Sequence, residues 1–284
     1  KHDQQVRLIS SIFTNDYFFF ILLMILTAFP VGFLAGLFGI GGGLITVPFL
    51  FFIFHSLNIN QDYLMHLALG TSFSIIVPTS IVSVLTHKKH GSVDFKVIKN
   101  YAIFVIIGVL SGTIFAAMLH TKSLLLFFTI IVYLCGTYLL NLKNKTDELK
   151  VNFNLIPRIL LGFASGFISA NMGIGGAIMN VPILRYFGYP INKAIGSAVA
   201  IGSVISLFGA IGFLITGSFL KTNLPLSVGF INIPAFLIFI PITMVMARVG
   251  ANTVHKVNKS KLQRFFGIFL YIVGTIFLYR YLSI

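Results

Sequence analysis

Long apolar blocks separated by short polar gaps run the length of this chain. Six blocks, at residues 67–87, 101–120, 123–141, 194–216, 226–247 and 262–283, have the length at which a helix crosses a bilayer, about 20 residues. Two further blocks, 17–54 and 157–187, are too long for one ordinary span. Each of these contains a glycine string. Gly39-Ile40-Gly41-Gly42-Gly43 leads to Thr46-Val47-Pro48, and Gly173-Ile174-Gly175-Gly176-Ala177 leads to Asn180-Val181-Pro182. Glycine and proline interrupt helices, and an interrupted backbone is tolerated in lipid only where protein or a water-filled cavity covers it.

The order of blocks repeats. Residues 32–50 and 166–184 are identical at 9 of 19 positions when laid over each other. Ala68-Leu69-Gly70-Thr71-Ser72 answers Ala194-Ile195-Gly196-Ser197-Ala198. The run from Leu124 through Tyr133 to Gly136-Thr137 answers the run from Leu262 through Tyr271 to Gly274-Thr275. The predicted architecture is an all-α polytopic membrane protein of two repeats, each a glycine-broken helical hairpin plus three transmembrane helices. A tail at 1–16 precedes repeat 1 at 17–141, and a polar linker at 142–156 precedes repeat 2 at 157–284. Residues 17–38 are too long for a signal peptide, and further spans follow at once.

Charge decides between two topologies. If each broken block crosses once, Lys and Arg divide twelve to eight, with the basic 248–264 loop on the poorer side. If each enters and returns, they divide fifteen to five. Basic residues gather on the cytoplasmic side, so the second arrangement is favoured. Three full spans per repeat then invert one repeat relative to the other.

Composition removes several function classes. The chain is 57% hydrophobic and 9% charged, where a soluble domain carries about 25% charged residues. Its net charge of +14 lies in the gaps between blocks and reads as topology signal and headgroup contact, not as a nucleic-acid surface. The single cysteine, Cys135, excludes an intrachain disulfide and a cysteine metal site. No histidine pair sits mid-span with ligand spacing and no serine or zinc hydrolase motif is present, so neither metal, cofactor nor enzymatic activity is expected.

A helix N-terminus offers unpaired N–H groups and the positive end of a dipole. Half-helices starting near Gly43 and Ala177 would aim such groups at the bilayer midplane, which suits a small oxyanion. The alternative is close helix packing through small residues. The candidate substrate contacts are Gly39, Gly41, Gly42, Gly43, Gly173, Gly175 and Gly176, with Thr46, Thr71, Ser72, Asn171, Asn180 and Ser197 beside or after the breaks. These polar side chains could equally bond neighbouring helices. All six acids, Asp3, Asp16, Asp62, Asp94, Asp147 and Glu148, lie outside the proposed cores, leaving no carboxylate to carry a proton or sodium ion. Arg185 and Arg248 read as headgroup contacts or as attractors of an anion at the inner mouth.

At these residues the chain resembles the sulfite exporter TauE/SafE family, also called the toluenesulfonate uptake permease family. The family's Gly-rich element falls on Gly39–Pro48 and Gly173–Pro182, and its Ala-x-Gly-Thr-Ser stretch on Ala68–Ser72 with a variant copy at Ala194–Ala198. Its late Gly-Ala and Phe-Gly pairs fall on Gly250-Ala251 and Phe266-Gly267. Ala177 and Ala198 depart from the pattern. The resemblance implies a secondary transporter, exporter or permease, for sulfite or organosulfonates in a bacterial inner membrane, working by alternating access around the two breaks. A channel and a membrane-embedded binding subunit are the competing readings. The expected partners are a small anion and membrane lipid, with a homo-oligomer left open.

Overall fold

The computed structural model describes residues 15–38, 42–57, 59–141, 154–222, 224–253 and 259–283. Candidate residues Gly39 and Gly41, most of the tail at 1–16 and most of the linker at 142–156 lie outside the described residues. The fold is all-α, with helices α1 (Asn15–Phe38), α2 (Gly43–Ser56), α3 (Leu64–Lys89), α4 (Phe95–Met118), α5 (Thr121–Asn141), α6 (Leu155–Met172), α7 (Ala177–Tyr186), α8 (Ile191–Phe219), α9 (Ile233–Thr253) and α10 (Lys259–Ser283). Seven of these are long and apolar enough to cross a membrane: α3, α4, α5, α6, α8, α9 and α10. Helices suit lipid because every interior backbone group is bonded within the segment.

Two helices start well away from their predicted bounds: α4 begins at Phe95 rather than 101, and α9 begins after a ribbon. The block at 226–247 begins with a two-stranded antiparallel ribbon, Ser227–Val228 on Ile231–Asn232, and its helix runs Ile233–Thr253. Gly229, at φ 56°, makes the turn of this ribbon, a conformation that favours glycine. Its backbone lies against Leu214. The Asn232 side chain then accepts from Ala235 N at 3.1 Å, capping α9 in the same way that Asp94 caps α4 by accepting from Lys96 N at 3.0 Å.

Contacts fix helix directions. Gly70, early in α3, faces Phe213, late in α8, and Gly196, early in α8, faces Ser92 just after α3. Therefore α3 and α8 run antiparallel. Likewise Phe128 of α5 meets Phe277 of α10, while Leu140 meets Gly267. In α1, Gly32 lies on Thr243 and Gly36 on Ala247, so α1 runs parallel to α9. In α6, Gly162 lies on Tyr101 and Gly166 on Val105 and Val109, so α6 runs parallel to α4. At these seams glycine lets two backbones touch; without a hydrophobic drive between helices in lipid, such close packing holds them together.

These directions determine the course of the broken blocks. The start of α9 sits at the start of α3, where Asn232 N donates to Thr71 Oγ1 at 2.9 Å. Because α1 is parallel to α9 and α2 feeds α3, the α1–α2 segment enters and leaves at this end, the distal end. The start of α8 sits at the start of α4, where Asp94 N donates to Ser197 Oγ at 2.9 Å. Because α6 is parallel to α4 and α7 feeds α8, the α6–α7 segment enters and leaves at the opposite end. Lys88, Lys89, Lys96, Lys99, Arg158, Arg185, Lys193, Arg248 and Arg264 lie at this second, basic end, against Lys122, Lys221 and Arg280 at the distal end.

The contacts recur when the halves are exchanged. Tyr133 OH bonds Thr275 Oγ1 at 2.9 Å, and Tyr271 OH bonds Thr137 Oγ1 at 2.6 Å. The cap contacts of Thr71 with Asn232 and of Ser197 with Asp94 form a second such pair. Helices α3 and α8 make the centre: 72% and 56% of their apolar windows are buried, against 28–39% for the other five. The outer helices turn Ile103, Ile107, Ile114, Leu134, Leu160 and Leu237 outward, as lipid requires.

Candidate functional site

The two breaks meet. Gly42 and Gly176 cap α2 and α7 in the left-handed region, at φ 77° and 67°, and neither start has a side-chain cap. Gly173 closes α6 at φ 64°. A side chain at Gly43 would run into the Gly173 carbonyl and lie 2.6 Å from Ile174 Cα. One helix of the first half therefore begins against the turn of the second, backbone to backbone. The site is fully buried: Gly42 to Pro48 and Asn171 to Ile178 are all in the interior.

Three of the six polar side chains selected from the sequence hold this crossing together. Thr46 Oγ1 donates to its own cap carbonyl, Gly42 O, at 3.0 Å. Asn180 Nδ2 donates to Gly176 O at 2.8 Å, the corresponding bond of the second break. Asn180 Oδ1 also accepts from Ser165 Oγ at 2.8 Å, bracing α7 on α6. Ser72 Oγ donates to Gly173 O at 2.8 Å and anchors the turn on α3. Thr71 and Ser197 point to opposite ends, where they receive the cap N–H groups of α9 and α4. Asn171 Nδ2 donates to Phe167 O at 2.8 Å, while its Oδ1 is buried without a partner.

Three hydroxyls outside that selection line a small cavity beside the crossing. Thr79, Ser80 and Ser83 of α3 face Gly175 at the second break, Val199 and Gly202 of α8, Ala35 of α1 and Ala247 of α9. The cavity holds about 10 Å³, room for about one oxygen atom or water. Thr79 Oγ1 donates to Ile75 O at 2.8 Å and bonds Thr243 Oγ1 at 3.0 Å, and Ser80 Oγ donates to Val77 O at 3.0 Å. Ser83 Oγ is buried with no partner. These residues lie about two to three turns past Ser72 on α3; the signal for them is their spacing after Pro78, which sets 79 and 83 on one helical face. No charged side chain lines the cavity, and among the described residues no cluster of His, Cys, Asp or Glu could hold a metal ion.

The sequence profile of the sulfite exporter TauE/SafE family matches residues 24–277, a stretch that contains both breaks and all ten described helices in whole or part. The chain belongs to this family. It is with it a multi-pass membrane transporter. A probable membrane transporter protein of Haemophilus influenzae is 33% identical over 258 residues, covering 90% of this chain and 97% of its own. A second probable membrane transporter protein, from Methanocaldococcus jannaschii, is 27% identical over 263 residues, covering 90% and 94%. A third, YunE of Bacillus subtilis, is 27% identical over 218 residues, covering 70% and 79%. No solved structure matches this chain.

Proposed function

We propose that this TauE/SafE family member is a secondary transporter of small sulfur-containing anions, sulfite or organosulfonates, in the bacterial inner membrane. Two inverted repeats alternate access around the crossing of the breaks, with the basic end in the cytoplasm. The observation that carries this reading is the meeting of Gly43 with Gly173, which sets the uncapped start of α2 against the second break, with the uncapped start of α7 a few residues on. Helix starts favour negative charge, and the cavity beside them has only hydroxyls and small apolar groups. The family's name supplies sulfite as the first substrate to test.

The distal side supports alternating access over a continuous pore. Phe73 of α3 stacks on Phe213 of α8 at 6.0 Å between ring centres, and Phe213 meets Phe230 edge-on at 6.2 Å. His66 stacks on Phe230 at 5.0 Å. All four are buried, so this end is sealed by rings while the basic end holds the hydroxyl cavity.

The test is movement of labelled sulfite and of small sulfonates in proteoliposomes, with and without a pH gradient. Wild-type protein moves at least one of them. Gly176→Val abolishes movement with membrane insertion intact, because valine is strained at φ 67° and meets Ile205, Ser169 and Asn180. A wild-type protein that moves no sulfur anion under any gradient refutes the substrate; unchanged movement by the variant refutes the role of the break.

A further inference from the structure

We infer that the cavity at Ser83 is the transporter's anion subsite, and that the chain has one such subsite rather than two. This rests on the transport reading above. The duplicated sequence gives each cavity residue a counterpart in the other half. Thr79, Ser83, Val199 and Gly202 of the central helices correspond to Ile205, Gly209, Phe73 and Ile76, at the spacing set by Ala68 and Ala194. Ala247 of α9 corresponds to Val109 of α4, at the spacing set by the caps Asn232 and Asp94.

Four of these counterparts are larger than the cavity residue, and all four are buried: Ile205, Phe73, Ile76 and Val109. Where Val199 leaves room at Ser83, Phe73 lays its ring against Gly209, 2.9 Å from the position a Cβ would take. At these four positions the distal counterpart carries larger apolar side chains, with Ser206 answering Ser80 and Ser169 answering Ala35, whereas the cavity at the basic end carries three hydroxyls. Pseudo-symmetric halves therefore carry an asymmetric site.

Ser83 marks the ligand. It is 4% exposed, lines the cavity, and its Oγ has no hydrogen-bond partner. A buried hydroxyl without a partner is costly, and a ligand oxygen in the cavity removes that cost by accepting its hydrogen. The hydroxyls of Thr79 and Ser80 already donate to carbonyls of their own helix, which leaves Ser83 as the donor. Lys88 and Lys89 follow on the same helix at the basic end and favour an anion at the approach. The space admits one oxygen atom, so the rest of the ligand enters when α1 and α9, which contribute Ala35 and Ala247, move off α3. The Thr79–Thr243 hydrogen bond joins α3 to α9 at this point.

The test is calorimetric titration of the purified chain in nanodiscs with sodium sulfite, and with methanesulfonate as a second probe. One equivalent binds per wild-type chain. Ser83→Ala weakens binding about tenfold or more, as loss of a hydrogen bond to a charged ligand does. Val199→Phe, which copies the distal residue into the cavity, abolishes binding. Ser206→Ala, at the counterpart of Ser80, leaves it unchanged. Elution volume and melting temperature report folding for each variant, and Ser83→Ala carries the test should the phenylalanine disturb packing. Wild-type affinity in Ser83→Ala, or two equivalents per wild-type chain, overturns this subsite and leaves the transport reading standing. A wild-type chain that neither binds nor moves either anion overturns both.

Discussion

Gly43→Ala puts a number on the crossing of the breaks. Position 43 is the first residue of α2 and its backbone is helical, so alanine meets no conformational strain there. It meets the other half of the protein instead. The new Cβ would run into the Gly173 carbonyl, lie 2.6 Å from Ile174 Cα and 3.0 Å from the Gly173 carbonyl carbon, where ordinary contact is 3.4–4 Å. The two breaks must part by about 1 Å. Backbone atoms cannot rotate away, and Ser72 holds the Gly173 carbonyl at 2.8 Å. Overpacking of this kind costs about 1–3 kcal/mol, against which the helix preference of alanine over glycine returns about 1 kcal/mol. The expected net loss is about 0–2 kcal/mol, read as a melting temperature lowered by up to several degrees in detergent micelles. A displacement of 1 Å at a binding centre is felt far more strongly in function, so sulfite movement in proteoliposomes falls at least about tenfold. Gly91→Ala is the control: at φ 65° with nothing within 4 Å, it pays only backbone strain of about 1 kcal/mol, and movement is unaffected. Adding Ser72→Ala frees the Gly173 carbonyl, so the double variant loses less stability than the two single losses together. Wild-type melting and wild-type movement in Gly43→Ala would refute the backbone contact.

Thr71→Val leaves the buried Asn232 N–H without its acceptor, which costs about 1–3 kcal/mol. Its melting temperature falls while the affinity for the transported anion is unchanged; an affinity loss at wild-type stability would make Thr71 a ligand instead of a cap. The antiparallel course of α3 and α8 places His90 and Lys221 at opposite ends. In a protein with Cys135 replaced, a membrane-impermeant thiol reagent added outside intact cells labels Lys221→Cys and spares His90→Cys. Labelling of both, or of His90→Cys alone, contradicts the arrangement with the basic end inside.

The sequence by itself determined where the helices are and where two of them stop. Apolar blocks without ionised groups have one stable form in lipid, and glycine at a left-handed cap is a local requirement, so the starts of α2 and α7 are visible in Gly42-Gly43 and Gly176-Ala177. The missed start of α9 had a local cause as well: Pro225, Gly229 and Asn232 build a ribbon inside an apolar block, and the block's hydrophobicity hides it. Which side of a helix faces the centre was not legible. Lipid and protein interior are both apolar, so α3 carries apolar residues on all its faces and its pattern does not distinguish Ser83 from Ser74. Tertiary structure made that choice. It gave Thr46, Thr71, Ser72, Asn180 and Ser197 backbone partners, which their types alone could not foretell. It left Ser83 with none. Only the packing of one half against the other could decide this, because the partner of a buried hydroxyl depends on what the opposite half lays against its helix.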